Sequence, residues 1–326
     1  MNDPGRTLVI QIPCHNEEEV LPLVLAGLPA AVPGIARIIA LVIDDGSSDR
    51  TSEIARLHGA EVLRLPVRRG LARAFLAGLE RAVTLGADVV VNTDGDNQYC
   101  GDDIPRLVEP VLRGEADLVI GARPVASIEG FSALKKLLQR LGSAATRVAS
   151  GTSIEDAPSG FRAISRDAAM RLHVFNRYTY TVETIIQAGQ KGMAVLSVPI
   201  RVNPVTRPSR LMRGPASYIA RQLNVMVRVV MTYRPFRFFA VPGIIFGGLG
   251  AVLLTRFIYF YAIGDGSGHI QSVVIGSMLT ALGVALVIVG LVADLISVNR
   301  QLLEDLDWRI RRMEHGQRAA RDSSRA

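Results

Sequence analysis

The sequence predicts an α/β domain on a doubly wound, mostly parallel sheet, followed by an interfacial helix and two C-terminal transmembrane helices. Three observations carry this expectation. Roughly the first two hundred residues alternate short β-branched runs with amphipathic segments. Several of those runs end in clusters of Asp, Asn, Gly and Ser. Two long stretches near the C-terminus carry almost no charge.

The strand-like runs are, in order, LVIQIP from Leu8, RIIALVID from Arg37, AEVLRLP from Ala60, ADVVVNT from Ala87 and ADLVIGAR from Ala116. Several are apolar throughout, as strands covered on both faces are, which predicts parallel pairing. Helical segments separate them. DRTSEIARLHG offers Asp49 as an N-cap and Gly59 just past the end, and LARAFLAGLERAVTLG follows from Leu71. In such sheets ligands gather at the carboxyl ends of the strands. IPCHNEEE, DDGSSD and TDGDNQ all fall there, so they describe one site.

The C-terminal third follows different rules. Phe238 to Ile263 holds one charge, Arg256, and Ile270 to Ala293 holds none. At 1.5 Å per residue each stretch is long enough to cross a bilayer core of about 30 Å. The intervening GDGSGH has no Lys or Arg, whereas Arg228, Arg234 and Arg237 precede the first span and Arg300, Arg309, Arg311 and Arg312 follow the second. The positive-inside rule then puts both termini and the N-terminal domain in the cytoplasm, on a multi-pass inner-membrane protein. In YIARQLNVMVRVVM, Arg221, Asn224 and Arg228 share one helical face, which suits either a helix at the headgroup boundary or a core helix of the soluble domain. Leu302, Leu306, Ile310 and Met313 form a second stripe, for oligomer contacts or the membrane surface. The expected organisation is therefore a catalytic domain over 1–213, an interfacial region over 214–237, two spans within 238–298, and an amphipathic helix with a disordered tail over 299–326.

Composition agrees and narrows the partners. The chain has 326 residues, 49% of them hydrophobic, and 37 Lys plus Arg against 30 Asp plus Glu, a net charge of +7. That excess suits nucleic acid, anionic lipid or a phosphorylated substrate. Its concentration beside the spans, and not on a recognition helix, argues against nucleic acid. Cys14 and Cys100 make neither a disulfide framework nor a zinc motif. MNDPGRTLVIQIP lacks the pattern of a signal peptide, and its LVIQIP reads as the first strand.

Each polar cluster has a chemical and a plain structural reading. Glu17 accepts hydrogen bonds from a ribose hydroxyl, or is a first-turn acid complementing a helix dipole. Asp44 and Asp45 bind a nucleobase or ribose, or make a DG turn. Neither cluster has the glycines of GxGxxG or of a P-loop. If Asp94, Asp96 and Gln98 run extended off their strand, their side chains point to one side and give hard oxygen ligands for Mg2+ or Mn2+ shared with substrate phosphates. The same residue types also mark an ordinary turn.

PxxNEE, DDGSSD, GLARAFLAG, DGDNQ, GAR and DAPSGFRA, in this order and spacing, resemble a family-2 glycosyltransferase with the GT-A fold. The two spans, with RFIYFY and GHIQS flanking their loop, narrow the resemblance to the dolichol/polyprenyl-phosphate hexosyltransferases, across residues 7 to 315. The resemblance implies an inverting transfer of a hexose from a nucleotide sugar, of the UDP-glucose or GDP-mannose type, to a polyprenyl phosphate. It implies that Pro13, Glu17, Asp44, Asp45, Arg73 and Asp94 bind the nucleotide sugar, and that Asp94, Asp96 and Gln98 hold Mg2+ or Mn2+. Arg123 faces the phosphates and Asp156 lies by the reaction centre, making Asp96, Arg123 and Asp156 the catalytic set. Lys136, Arg140, Arg207 and Arg210 meet the lipid phosphate. Cys14 stands where the family often has an aromatic residue. Two other readings remain, the second of a different class. A processive polysaccharide synthase would add a QxxRW-like motif and further spans, which the sequence lacks. A non-catalytic membrane adaptor would bind no nucleotide sugar. A homo-oligomer is compatible with all of these.

Overall fold

The computed structural model describes residues 5–124, 142–144, 146–174, 180–204, 227, 231, 233–264 and 267–323. Two compact units divide the chain: Met1–Leu223 with Leu306–Ala326, and Asn224–Asp305.

The first unit is a seven-stranded sheet. The five expected runs become β1 (Thr7–Cys14), β2 (Arg37–Asp44), β3 (Glu61–Arg64), β4 (Val89–Asn92) and β5 (Leu118–Ala122), joined by β6 (Arg162–Ser165) and β7 (Val195–Pro199) in the order β3-β2-β1-β4-β6-β5-β7. β1 pairs in parallel with β2 and β4, as do β2 with β3 and β5 with β7. Among the strands of this sheet β6, between β4 and β5, is the antiparallel one in the described residues. Leu8, Val9, Ile10, Leu41, Val42, Ile43, Val90 and Val91 are all fully buried, which accounts for runs that are apolar on both faces.

Short helices cover the sheet: α1 (Leu21–Ala26), α2 (Thr51–Leu57), α3 (Leu71–Thr84), α4 (Ile104–Leu112), α5 (Arg166–Arg171) and α6 (Thr181–Gln190). α3 packs on β1 and β2 through Ala72, Phe75, Leu79 and Ala82 at helical spacing, while Arg73 and Glu80 face solvent. α2 differs in one detail from the expected cap. Its N-cap is Arg50, and Asp49 instead accepts the Thr51 N–H from one residue earlier, at 3.0 Å. Gly59, at φ +76°, turns the chain out of the helix as expected.

The second unit holds α7 (Pro235–Ala262) and most of α8 (Ile270–Ser323). Both are long and apolar enough to cross a membrane, with mean hydropathy 2.0 and 2.5 over their most apolar windows. Ile244, Val252, Ile275, Met278 and Leu295 stand more than half exposed. A soluble core would cover such side chains; lipid would not need to. The helices meet through glycines seven residues apart, Gly243 and Gly250 on α7 against Gly283 and Gly276 on α8. A Cβ at Gly283 would lie 2.6 Å from the Gly243 carbonyl oxygen, and one at Gly250 would lie 2.7 Å from that of Gly276. Only glycine permits backbones this close, and small residues at the crossing are how apolar helices associate where burial drives nothing. The Leu302, Leu306, Ile310 and Met313 stripe is exposed. Most of the expected interfacial segment lies outside the described residues.

Candidate active site at the sheet edge

Pairing in register puts Cys14 opposite Asp44 and Gln11 opposite Asn92, so the loops after β1, β2 and β4 leave the sheet side by side. The first two are stitched together. Asn16, at φ +57°, donates its N–H to Ser47 Oγ at 3.0 Å and accepts the Ser48 N–H at 2.9 Å. Glu17 N–H donates to Thr51 Oγ1 at 2.9 Å and Glu18 N–H to Asp49 Oδ2 at 3.1 Å. Pro13 closes β1 beneath this seam, paired with Ile43.

The two aspartates of DDGSSD are largely occupied within the protein. Asp44 accepts the Ser47 N–H at 2.7 Å and the Ser52 hydroxyl, with Arg64 Nε at 3.7 Å. Burial alone would raise its pKa, but those hydrogen bonds and the Arg64 charge hold it below the usual carboxylate value. Asp45 receives the Arg69 and Gly70 N–H groups, one on each oxygen, at 2.7 and 2.8 Å. This anchors the loop before α3, which presents Arg68, Arg69 and Arg73 exposed at the same edge.

The loop after β4 is not extended. Gly95 and Asp96 form a turn, Asn97 adopts φ +59°, and Asp96 Oδ1 accepts the Gln98 N–H at 3.2 Å. The expected arrangement of Asp94, Asp96 and Gln98 along one side of an extended chain is therefore corrected. Asn tolerates the left-handed region and an Asp side chain can bond the backbone two residues on, so local turn chemistry outweighs continuation of the strand. The two carboxylates nonetheless crowd. Burial, and then the charge of Asp96, push the Asp94 pKa up to about 7, against the opposing pull of Arg123 and Arg162. Asp94 packs on the bare face of Gly160, where a Cβ would lie 2.8 and 2.9 Å from its carboxylate oxygens and 3.0 Å from the Tyr180 hydroxyl.

Beneath this pair lies a polar network absent from the sequence expectations. Gln11 Nε2 donates to Asn92 Oδ1 at 2.9 Å, and Asn92 Nδ2 donates to Tyr180 Oη and to the Gly160 carbonyl, both at 2.8 Å. Tyr180 stacks on Phe75 with ring centroids 3.9 Å apart, and Tyr99 stacks on Phe161 while its hydroxyl accepts the Gly160 N–H at 2.9 Å. Burial, then Asp94, push Tyr99 up to about 12, so it stays protonated. Arg162, 0% exposed, donates to the Ser159 and Ala157 carbonyls and to Thr184 Oγ1 at 2.8, 2.9 and 2.6 Å. Burial pulls its pKa down to about 10, which leaves a fixed cation in the floor at neutral pH. Cys14 is buried, and burial, then Glu17, Asp44 and Asp94, push its thiol well above the ordinary value, so it is no nucleophile.

At the end of β5, Arg123 and Asp156 form a fork: Nε to Oδ2 at 2.7 Å, Nη2 to Oδ1 at 3.0 Å, and the Arg123 N–H to Oδ2 at 3.2 Å. Burial works against the Arg123 charge, but Tyr99, Asp156 and Asp94 raise its pKa above the ordinary value. The fork leaves other guanidinium N–H groups for an incoming anion.

Asp94, Asp96 and Gln98 offer only hard oxygens, and the mutual repulsion of the two carboxylates is what a divalent cation would relieve, so these residues fit Mg2+ or Mn2+. Among the described residues no group of three or more His, Cys, Asp or Glu forms a metal cluster. Lys136, Arg140, Arg207 and Arg210 lie outside the described residues.

Four resemblances to known proteins bear on this site. The chain is 33% identical over 206 residues to the undecaprenyl-phosphate mannosyltransferase of Micrococcus luteus, covering 60% of this chain and 82% of that one. It is 31% identical over 210 residues to the polyprenol monophosphomannose synthase of Mycolicibacterium smegmatis, covering 60% and 76%. Among solved structures, glucosyl-3-phosphoglycerate synthase from Mycobacterium tuberculosis, in complex with Mn2+, UDP and phosphoglyceric acid, superposes with a TM-score of 0.54 at 24% identity, covering 70% of this chain and 78% of that one. That likeness is one of fold, and the fold is of the GT-A type. The family profile described as glycosyl transferase family 2 matches residues 9–172, and this chain is a member of that family.

Proposed function

We propose that this chain transfers a hexose from a nucleotide sugar, of the UDP-glucose or GDP-mannose type, to a polyprenyl phosphate, with inversion at the anomeric carbon and at the cytoplasmic face of the membrane. The observation that carries the reading is the convergence at one sheet edge of the Asp94 and Asp96 pair, the Asp45-anchored basic loop and the Arg123–Asp156 fork. Two relatives named for polyprenyl-phosphate mannosyl transfer support the acceptor class. The two long apolar helices support a membrane location. In this reading residues 1–213 are catalytic, 214–237 lie at the interface, 238–298 cross the bilayer twice and 299–326 return to the cytoplasm.

Pro13, Glu17, Asp45 and Arg73 border the nucleoside end, with Asp44 shaping the loop from within. Asp94, Asp96 and Gln98 would hold Mg2+ or Mn2+, which when bound neutralises charge on the departing diphosphate. An oxygen of the acceptor phosphate bonds to the anomeric carbon as the bond from that carbon to the diphosphate oxygen breaks. The nucleoside diphosphate leaves with the electron pair. A phosphate monoester has a second pKa of about 6, so the nucleophile is already largely ionised near neutral pH and needs no strong base. Asp156, with both oxygens engaged by Arg123, orients that guanidinium toward the phosphates. Lys136, Arg140, Arg207 and Arg210 gather the acceptor phosphate.

The test is the purified full chain offered a short polyprenyl phosphate and a panel of labelled nucleotide sugars with Mn2+ or Mg2+, with label counted in the lipid fraction. One sugar is expected to enter the lipid. No transfer from any donor overturns the reading. Asp96→Asn is expected to abolish transfer while the chain stays folded; full activity in that variant removes the cation assignment alone.

A further inference from the structure

Beyond β7 the chain does not leave the sheet freely. Ile200 N–H donates to the Ala122 carbonyl at 3.0 Å, which continues the β5–β7 pairing. Arg201 clamps Asp103 through its backbone N–H at 2.7 Å and through Nε and Nη2 at 3.1 and 2.9 Å. Val202 bridges antiparallel to Tyr99. Asn203 then bonds three consecutive positions of the turn after β4: its N–H donates to the Gln98 carbonyl at 2.9 Å, and Nδ2 reaches the Asn97 carbonyl at 3.0 Å, the Tyr99 carbonyl at 3.1 Å and Asn97 Oδ1 at 3.3 Å.

This turn has a reason to need an outside brace. Asn97 sits in the left-handed region, and the Asp96 carboxylate, half-buried, is drawn toward the Gln98 N–H by the local turn. A carboxylate oxygen spent on its own backbone is less available to a ligand. One carboxamide that meets the carbonyls on both sides of Gln98 fixes the peptide planes without consuming an Asp96 oxygen. Such a partner of a ligating turn typically alters metal affinity by about 10- to 100-fold when removed.

We propose that Asn203 is a positioning residue of the cation and diphosphate site: it holds the 97–99 turn in the shape that presents Asp96 and Gln98 beside Asp94. The proposal rests on the reading of Asp94, Asp96 and Gln98 as cation ligands. In this role Asn203 acts through the turn and not on the substrate or ion itself.

The test is Mn2+ titration of the full chain, with and without UDP, followed by the electron paramagnetic resonance signal of the free aqueous ion, together with thermal unfolding and steady-state kinetics. Asn203→Leu keeps the volume and the backbone N–H but removes the side-chain donors. It is expected to weaken Mn2+ at least about tenfold and to raise the donor KM, with the acceptor KM unchanged. Asn203→Ser keeps one short donor and is expected to fall between the two, which preserves a test should the Leu variant fold poorly. Wild-type Mn2+ affinity in either variant, or equal rises in both KM values, overturns the role of Asn203. Failure of the wild-type chain to bind Mn2+ even with UDP is a different result: it overturns the cation site itself.

Discussion

Replacing Asp156 by Asn asks whether this carboxylate orients Arg123 or takes a proton. In the wild type its side chain is 1% exposed and that of Arg123 14%, and three hydrogen bonds join them. Asn keeps the shape but not the charge, and its amide N–H groups face the guanidinium donors across one arm of the fork. Breaking a buried ion pair from one side costs about 3–5 kcal/mol, and the partial exposure of Arg123 argues for the lower end, ~3 kcal/mol. At roughly 2–4 °C per kcal/mol for a unit of this size, the unfolding midpoint should fall by roughly 6–12 °C. On the proposed reading a loosened Arg123 also loses one charge-assisted contact to the diphosphate, about 1.5–3 kcal/mol, which is roughly a 10- to 160-fold fall in kcat. The assays are thermal unfolding of the full chain in detergent and labelled-sugar transfer measured from about pH 5 to 8. If Asp156 only orients, the acid limb of kcat/KM belongs to the acceptor phosphate near pH 6 and persists in the variant. A variant that folds as stably as wild type yet loses its acid limb would refute the positioning argument and make Asp156 the base.

Gly160→Ala puts a methyl 2.8 Å from an Asp94 oxygen and 3.0 Å from the Tyr180 hydroxyl. It should cut both transfer and Mn2+ binding at least about tenfold with the fold retained, checked by circular dichroism beside the transfer assay. Gly283→Leu collides with the Gly243 carbonyl and the Gly247 N–H, both 2.6 Å from the new Cβ, whereas Gly248→Leu enters open space. Only the first should lower the thermal unfolding midpoint in detergent. Asp44 has a folded pKa below its unfolded value, so its stabilisation is present above about pH 4 and is lost as pH falls through the folded pKa. Asp44→Asn should therefore be less stable than wild type at neutral pH and converge with it in acid, read from unfolding midpoints at stepped pH.

Much of the fold was legible because burial on both faces of a parallel sheet writes long apolar runs, and β1, β2 and β4 are such runs. β6 and β7 write none. β6 carries Arg162, whose charge hides a strand buried at three of its four residues, and β7 is an edge strand whose side chains are mostly half-buried or exposed. The site was legible as three loops at one edge, but not in its supports. Gln11 and Asn92 did leave a mark, the first a polar residue inside an apolar run and the second the residue that ends one. Buried polar groups persist in strands when they are paired, and these two are paired with each other. Tyr180 and Asn203 left no such mark, since their role comes from where the chain returns after long separations in sequence.

In the stretch NTDGDNQY a turn and the proposed cation site are not competing readings. An extended strand would set alternate side chains on one side, but its flexibility at the sheet edge would let Asp94 and Asp96 drift apart under their own repulsion. The turn prevents this. Asp94 is seated against Gly160 with the Tyr99 and Tyr180 hydroxyls beside it, and Asp96 follows two residues later in a backbone fixed by Asn97 at positive φ. Burial, and then the nearby charge of Asp96, raise the pKa of Asp94, which records the cost of holding a second carboxylate beside a buried one. Such strain is sustained when the surroundings over-determine it. Here the surroundings are the buried network below and Asn203 alongside, so in the proposed site turn residues, and not an extended chain, make the paired acids available to one ion.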